Sequence, residues 1–308
     1  MHVLVTGGAG FIGANLCHAL HLAGHQATAF DDLSTGFESN LDGVEADLIV
    51  GSILDPVAIN AAVGPADAVV HLAARPSVPR SITDPVASHV ANATGTVNVL
   101  EAARLDGLRH VITAGSSSVY GANPTLPKHA GLATRPVSPY AASKLAAEAY
   151  TLAYGHSYDL PTLSFRFFNV FGPLQAAGHA YAAVVPAFVD AALRGHPVPV
   201  QGDGTQSRDF TYIDTLTSVV VDAINRQVTS DDPVNLAYGT RTDLLTVIEL
   251  MRTMIDNDFV VEHGPNRAGD VPHSQADDGP IRQLFPSVEP TSLEIGLKST
   301  IDWMRTVI

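Results

Sequence analysis

The 308-residue sequence predicts an α/β fold built on a doubly wound parallel sheet, and three observations carry that expectation. Short β-branched runs alternate with helical stretches through the first half, the pattern of repeated βαβ units. A glycine-rich turn links the first run to the first helix. Three later helix starts, Asp55-Pro56, Asp84-Pro85 and Ser138-Pro139, each pair a capping side chain with a proline at the first helical position.

In order, strands are expected at His2 to Thr6, Gln26 to Phe30, Asp47 to Val50, Ala68 to Leu72, His110 to Thr113 and Thr162 to Phe167, with five helical crossovers between them. After about residue 168 the rhythm breaks into Gly- and Pro-rich segments, with helices expected near Val184 to Arg194, Asp214 to Arg226 and Leu244 to Ile255. Single cores stop growing near ~250 to 300 residues, so a chain of this length has room for two. The expected division is a dinucleotide-binding domain over 1–168 and a smaller α/β substrate domain over 169–308, with roughly 209–238 returning to pack on the first.

Composition narrows the function classes. Lys+Arg 17 against Asp+Glu 31 leaves a formal charge of -14, the wrong sign for nucleic acid or an anionic membrane. The single Cys17 cannot form an internal disulfide, and no Cys/His spacing suits a structural zinc site, so no metal is expected. Neither a signal peptide nor a membrane span is expected, and the cytoplasm is the default compartment. His18, His21 and His25 fall near one face of the first helix, but Ile12, Leu16, Leu20 and Ala23 claim the core side, so the imidazoles are expected in solvent rather than on a metal.

The chemistry concentrates at two places. The first strand runs into Gly7-Gly8-Ala9-Gly10-Phe11-Ile12-Gly13. Glycines allow close backbone approach, and the helix that follows offers free N–H groups to a pyrophosphate. The second strand ends at Asp31, where an acidic residue meets ribose hydroxyls in the Rossmann dinucleotide fold. No Lys or Arg occurs from Met1 to Ala74 to neutralise a 2′-phosphate, which favours NAD over NADP. Further on, Tyr140 and Lys144 stand four apart on one face of a helical stretch. An adjacent ammonium and an oxidised nicotinamide would both favour the phenolate and make Tyr140 a usable base near neutrality. The serines Ser116, Ser117 and Ser118 follow a strand end, where parallel sheets place their ligands.

These residues resemble the extended short-chain dehydrogenase/reductases, and within them the nucleotide-sugar 4-epimerases of the UDP-glucose 4-epimerase type. The resemblance spans nearly the whole chain through Thr6 to Gly13, Asp31-Asp32-Leu33-Ser34-Thr35-Gly36, His71-Leu72-Ala73-Ala74, Ser77 to Ser81, Asn92 to Thr96, Arg166 to Pro173, Gly202 to Asp214 and Arg267 to Val271. It implies an NAD-dependent isomerase working through a transient 4-keto sugar, with Tyr140 as acid/base, Lys144 as its partner and ribose anchor, and Ser116 bonded to the sugar O4. The cofactor set it implies is Gly7, Gly10, Phe11, Ile12, Gly13, Asp31, Asp32, Ser34, Thr35, Gly36, Leu72, Ala73 and Ala74, together with Tyr140 and Lys144. For the UDP-sugar it implies Arg208 and Arg267 on the diphosphate, Asn169 near the first phosphate, Arg80 in the same region, and Ser116, Ser117, Ser118, Tyr140, Gln175, Ala183, Val184, Asp270 and Ser274 around the sugar. A homodimer through helices around Pro85 to Arg104 and Ser138 to Tyr154 is the expected assembly.

Departures refine the expectation. Family dehydratases carry an Asp-Glu pair where this chain has Ser117 and Ser118, so elimination lacks its carboxylates. Ser274 is small where some members carry Tyr, and Ala183 is small as well, which favours a pocket taking UDP-GlcNAc/UDP-GalNAc and also UDP-Glc/UDP-Gal. A UDP-glucuronate 4-epimerase is the rival, followed by a dehydratase or reductase and, more remotely, a non-catalytic NAD-binding regulator. Ser52, Arg75 and Leu174 also depart from the common pattern.

Overall fold

The computed structural model describes residues 1–107, 109–177, 182–265 and 272–308. Its first half alternates as the sequence predicts, except that a single 3₁₀ turn over Glu38–Leu41 stands in place of an α-helix between β2 and β3: β1 (His2–Thr6), α1 (Phe11–Leu22), β2 (Gln26–Asp31), β3 (Ala46–Val50), α2 (Pro56–Val63), β4 (Ala68–His71), α3 (Val78–Thr83), α4 (Pro85–His89), α5 (Gly95–Leu105), β5 (His110–Ser116), α6 (Pro139–Tyr158) and β6 (Thr162–Phe167). The second half holds β7 (Asn169–Phe171), α7 (Val184–Leu193), β8 (Val198–Gln201), β9 (Ser207–Arg208), β10 (Phe210–Tyr212), α8 (Ile213–Arg226), β11 (Val234–Leu236), β12 (Thr242–Asp243), α9 (Leu244–Met254), β13 (Val261–Gly264), α10 (Gly279–Leu284) and α11 (Leu293–Val307). No helix among the described residues is long and apolar enough to cross a membrane.

The central sheet has seven strands in the order β11-β6-β5-β4-β1-β2-β3. Strands β3, β2, β1, β4, β5 and β6 pair in parallel, with Val5 opposite both Ala29 and Val70. Helices cover both faces of such a sheet, so its middle strands read as unbroken apolar runs rather than alternating ones. Val3, Leu4 and Val5 are accordingly all buried. The predicted helix starts form as caps: Asp55 accepts from the Val57 and Ala58 N–H, Asp84 from Ala87, and Ser138 from Ala141. One core packs Leu4, Phe30, Val69 and Val111 of the sheet against Ile59, Val63, Val99 and Leu100 of α2 and α5.

Two compact units divide the chain. The first comprises 1–123, 130–167 and 217–235; the second comprises 124–129, 168–216 and 236–308. Within the second, β7 pairs with β10 and β8 with β13 in parallel, while β9 and β12 run antiparallel.

Candidate active site

The turn after β1 is shaped by backbone crowding. Gly7 sits at φ +71°, in the left-handed region that glycine favours, and its N–H donates to the Phe30 carbonyl at 2.8 Å. A side chain at Gly13 would place its Cβ 2.1 Å from the Gly7 carbonyl oxygen, and one at Gly8 would strike Ala29 at 2.5 Å. No side chain caps α1 at Gly10, so the first-turn N–H groups of Phe11, Ile12 and Gly13 lie at an uncapped, positive helix end. A glycine-walled cradle ending on an uncapped helix fits the pyrophosphate of a dinucleotide. Leu72 and Ala73 border the same turn, their N–H groups donating to the Thr6 carbonyl and hydroxyl, and Ala73 N would lie 2.7 Å from a Cβ on Gly7.

Asp31 closes the other side. Its Oδ2 accepts from the Ala9 N–H at 3.0 Å and its Oδ1 from Leu33 at 2.8 Å, leaving a further lone pair on each oxygen for ribose hydroxyls. Burial nonetheless holds its pKa above the ordinary carboxylate value. Asp32 accepts from the Ser34 N–H, and the loop through Thr35 and Gly36 returns to the cradle, where the Phe37 N–H and the Asn40 amide both donate to the Ala9 carbonyl. Asn40 was not identifiable from the sequence, since a lone Asn in a loop carries no spacing signal.

The reactive side chains gather at the ends of β5 and α6. Ser116 is the last residue of β5 and accepts from both the N–H (3.2 Å) and the hydroxyl (2.9 Å) of Ser118. The Ser116 side chain also lies near enough to the Tyr140 phenol to favour its ionised form. Lys144, one turn further along α6 and buried, donates to the Ala114 carbonyl at 2.8 Å. Ser117 lies between the two serines on the turn, and Arg80 on α3. The departing Arg75 ion-pairs with Asp84 at 3.3 Å.

Burial raises the Tyr140 pKa above the usual phenol value, the nearby Ser116 side chain offsets only part of that rise, and burial also pushes Lys144 down to about 8. Desolvation therefore opposes the phenolate that a neighbouring ammonium and an oxidised nicotinamide would favour. His71, hydrogen-bonded to Thr6 at 2.7 Å and Thr96 at 3.0 Å, is pushed down to about 3 and stays neutral, a structural role.

Asn92 is a buried organiser whose role the sequence did not reveal. It lies in a single π-helical turn over Val90–Thr94, a rare irregularity that recurs at functional sites. Its amide accepts from the Arg75 N–H at 2.7 Å and donates to Ser143 at 2.9 Å, and Ser143 donates to the Tyr140 carbonyl.

The second unit holds the remaining candidates. Asn169 opens β7 and its amide donates to the Asp209 carbonyl; the Gln175 amide donates to Val170 O. Ala183 is the N-cap of α7 and Val184 its first residue. Buried Arg208 donates to the carbonyls of Ser207 (2.9 Å) and Pro272 (3.2 Å), and the Ser274 N–H donates to the same Ser207 carbonyl, so Arg208 and Ser274 share one anchor. Arg267 and Asp270 lie outside the described residues.

Comparison with known proteins adds to this geometry. A model of the NAD dependent epimerase/dehydratase family matches residues 3–237. The chain is 34% identical over 315 residues to a UDP-glucose 4-epimerase of Mycolicibacterium smegmatis, with 99% of each covered. It is 31% identical over 336 residues to a probable UDP-glucuronate 4-epimerase of Rhizobium meliloti, with 98% of this chain and 96% of that one covered. Among solved structures it resembles a UDP-N-acetylglucosamine 4-epimerase from Methanobrevibacter ruminantium in complex with UDP-N-acetylmuramic acid, at a TM-score of 0.92 and 32% identity, covering 100% of this chain and 99% of that one.

Proposed function

Because the chain belongs to the NAD-dependent epimerase/dehydratase family, we propose that it inverts C4 of a UDP-sugar through a transient 4-keto sugar, and that its pocket takes UDP-GlcNAc/UDP-GalNAc as well as UDP-Glc/UDP-Gal. In this proposal the first unit binds NAD and the second binds the sugar nucleotide. The observation that carries it is Ser116 set beside the Tyr140 phenol, with Lys144 one turn on and hydroxyls rather than carboxylates at Ser117 and Ser118. An elimination needs a base and an acid at the neighbouring carbons, and those serines supply neither.

NAD, when bound, supplies the acceptor and returning donor of a hydride at C4. Gly7 to Gly13 hold its pyrophosphate, and Asp31 its ribose. Tyr140 takes the proton of the sugar 4-hydroxyl while Ser116 hydrogen-bonds O4. When the ketone presents its other face, Tyr140 returns the proton to O4 and the product is the C4 epimer. Arg208 and Arg267 neutralise the diphosphate, which in a chain of net charge -14 needs specific counter-charges.

The test is incubation with UDP-GlcNAc, UDP-Glc and UDP-GlcA separately, with products read by proton NMR. Formation of a C4 epimer without a net change in absorbance at 340 nm supports the reading. Loss of water, visible by mass, would replace it with a dehydratase, and turnover of UDP-GlcA alone would favour the glucuronate enzyme.

Two expectations follow from the same roles. Lys144 has a pKa of about 8 in the folded chain, below the ordinary lysine value, so its ammonium is present below that pH and is lost above it. Turnover should therefore fall with a midpoint near pH 8, and Lys144→Arg, which keeps its charge, should move that alkaline limb upward. An unmoved limb assigns the titration elsewhere. Ser274→Tyr should reduce kcat/KM for UDP-GlcNAc about tenfold more than for UDP-Glc. Equal losses would place Ser274 away from the C2 substituent.

A further inference from the structure

We propose that Glu148 and Arg166 are a positioning pair that sets helix α6, with Tyr140 and Lys144, in register with the Ser116 turn. The proposal rests on the catalytic roles given above to Tyr140 and Ser116. On α6, Tyr140, Lys144 and Glu148 recur at four-residue intervals, and Lys144 and Glu148 are both buried. The Glu148 carboxylate takes a two-pronged hydrogen bond from the strand residue Arg166: Nε to Oε2 at 2.7 Å and Nη2 to Oε1 at 2.7 Å, with only 4% of either side chain exposed.

This pair brackets the serines. On one side, a side chain at Gly115 would come within 3.6 Å of Glu148 Oε2, so the carboxylate lies beside the backbone that leads into Ser116. On the other, the Arg166 guanidinium lies 4.7 Å from the ring centroid of Tyr120, two residues past Ser118, and that ring is pinned by its hydroxyl donating to Asn235 at 2.7 Å. The third guanidinium arm donates to the Ala130 carbonyl at 3.3 Å. One buried cation therefore touches both the helix that carries the phenol and the turn that carries its serine partner.

Stability alone does not account for such a pair. Two charges taken out of water lose about as much hydration as their attraction returns, and apolar residues of similar volume often replace them without loss. What apolar residues cannot reproduce is the planar, two-pronged geometry that fixes α6 along its axis and in rotation. A small slide of α6 would move the Tyr140 phenol away from Ser116, and misplacements of that kind are costly to catalysis.

The test separates folding from positioning. The double variant Glu148→Met/Arg166→Met removes both charges together, while Arg166→Lys keeps the charge and loses the fork. In each, the thermal midpoint, the NAD dissociation constant, kcat and KM are measured, and the Tyr140 titration is followed by NMR of ring-labelled tyrosine. For the double variant we expect a thermal midpoint near that of the wild type, KM within about threefold, kcat lower by at least about tenfold, and Tyr140 titrating about half a unit higher as Ser116 moves away from the phenol. Arg166→Lys should show the same split, more weakly.

Wild-type kcat and an unmoved Tyr140 titration in either variant would overturn the proposal. So would a failure of both variants to fold, which would make the pair a requirement of the fold itself. If the wild type converts none of the UDP-sugars, the epimerase reading fails instead, and the Tyr140 titration still decides the positioning claim.

Discussion

Tyr140→Phe should lower kcat by about 10²- to 10⁴-fold, the range that a positioned acid/base contributes, while the fold and NAD binding should stay near wild type. The substitution removes one hydroxyl and keeps the ring, so packing at the start of α6 is preserved. The side chain beside the lost hydroxyl is Ser116, which still accepts from the hydroxyl and N–H of Ser118, so its oxygen is not stranded. Steady-state rates with whichever UDP-sugar the wild type converts, together with the NAD dissociation constant from a fluorescence titration, check both halves. A variant within tenfold of wild type would remove Tyr140 from proton transfer.

Gly13→Ala should raise the NAD dissociation constant by about 10- to 100-fold, corresponding to the roughly 1–3 kcal/mol that overpacking costs. The new Cβ falls 2.1 Å from the Gly7 carbonyl oxygen and 2.7 Å from Gly8 Cα. Both obstacles are backbone, so relief requires opening the turn, and the turn is the cradle. In a thermal melt the variant should gain little from saturating NAD, whereas a bound ligand stabilises the wild type by mass action. A variant with wild-type affinity would place the pyrophosphate elsewhere.

The parallel sheet was legible because its strands are short β-branched runs set off by proline-marked helix starts, and each cue has a local cause. Strand β11 was not: Val234-Asn235-Leu236 is too short for a periodicity and follows the turn-forming pair Asp231-Asp232 and Pro233. At the site, Gly7 to Gly13 and Asp31 announced themselves through spacing along one strand-turn-helix unit. Asn92 and Glu148 could not, because their partners Arg75, Ser143 and Arg166 are chosen by tertiary packing and no spacing rule relates them. The desolvation of Tyr140 was hidden for a similar reason. Spacing reveals the neighbouring charge of Lys144, but only the folded chain reveals how much water both groups lose.

The chain changes unit five times, and residues 217–235, which enter the first unit late, bring most of β11 to the edge of the central sheet. A stop after residue 168 would therefore leave β6 with an open flank, and a bare strand edge invites pairing with other chains. Swapping specificity by shuffling whole modules would need five splice points. New substrates are reached more readily by replacing single residues in place.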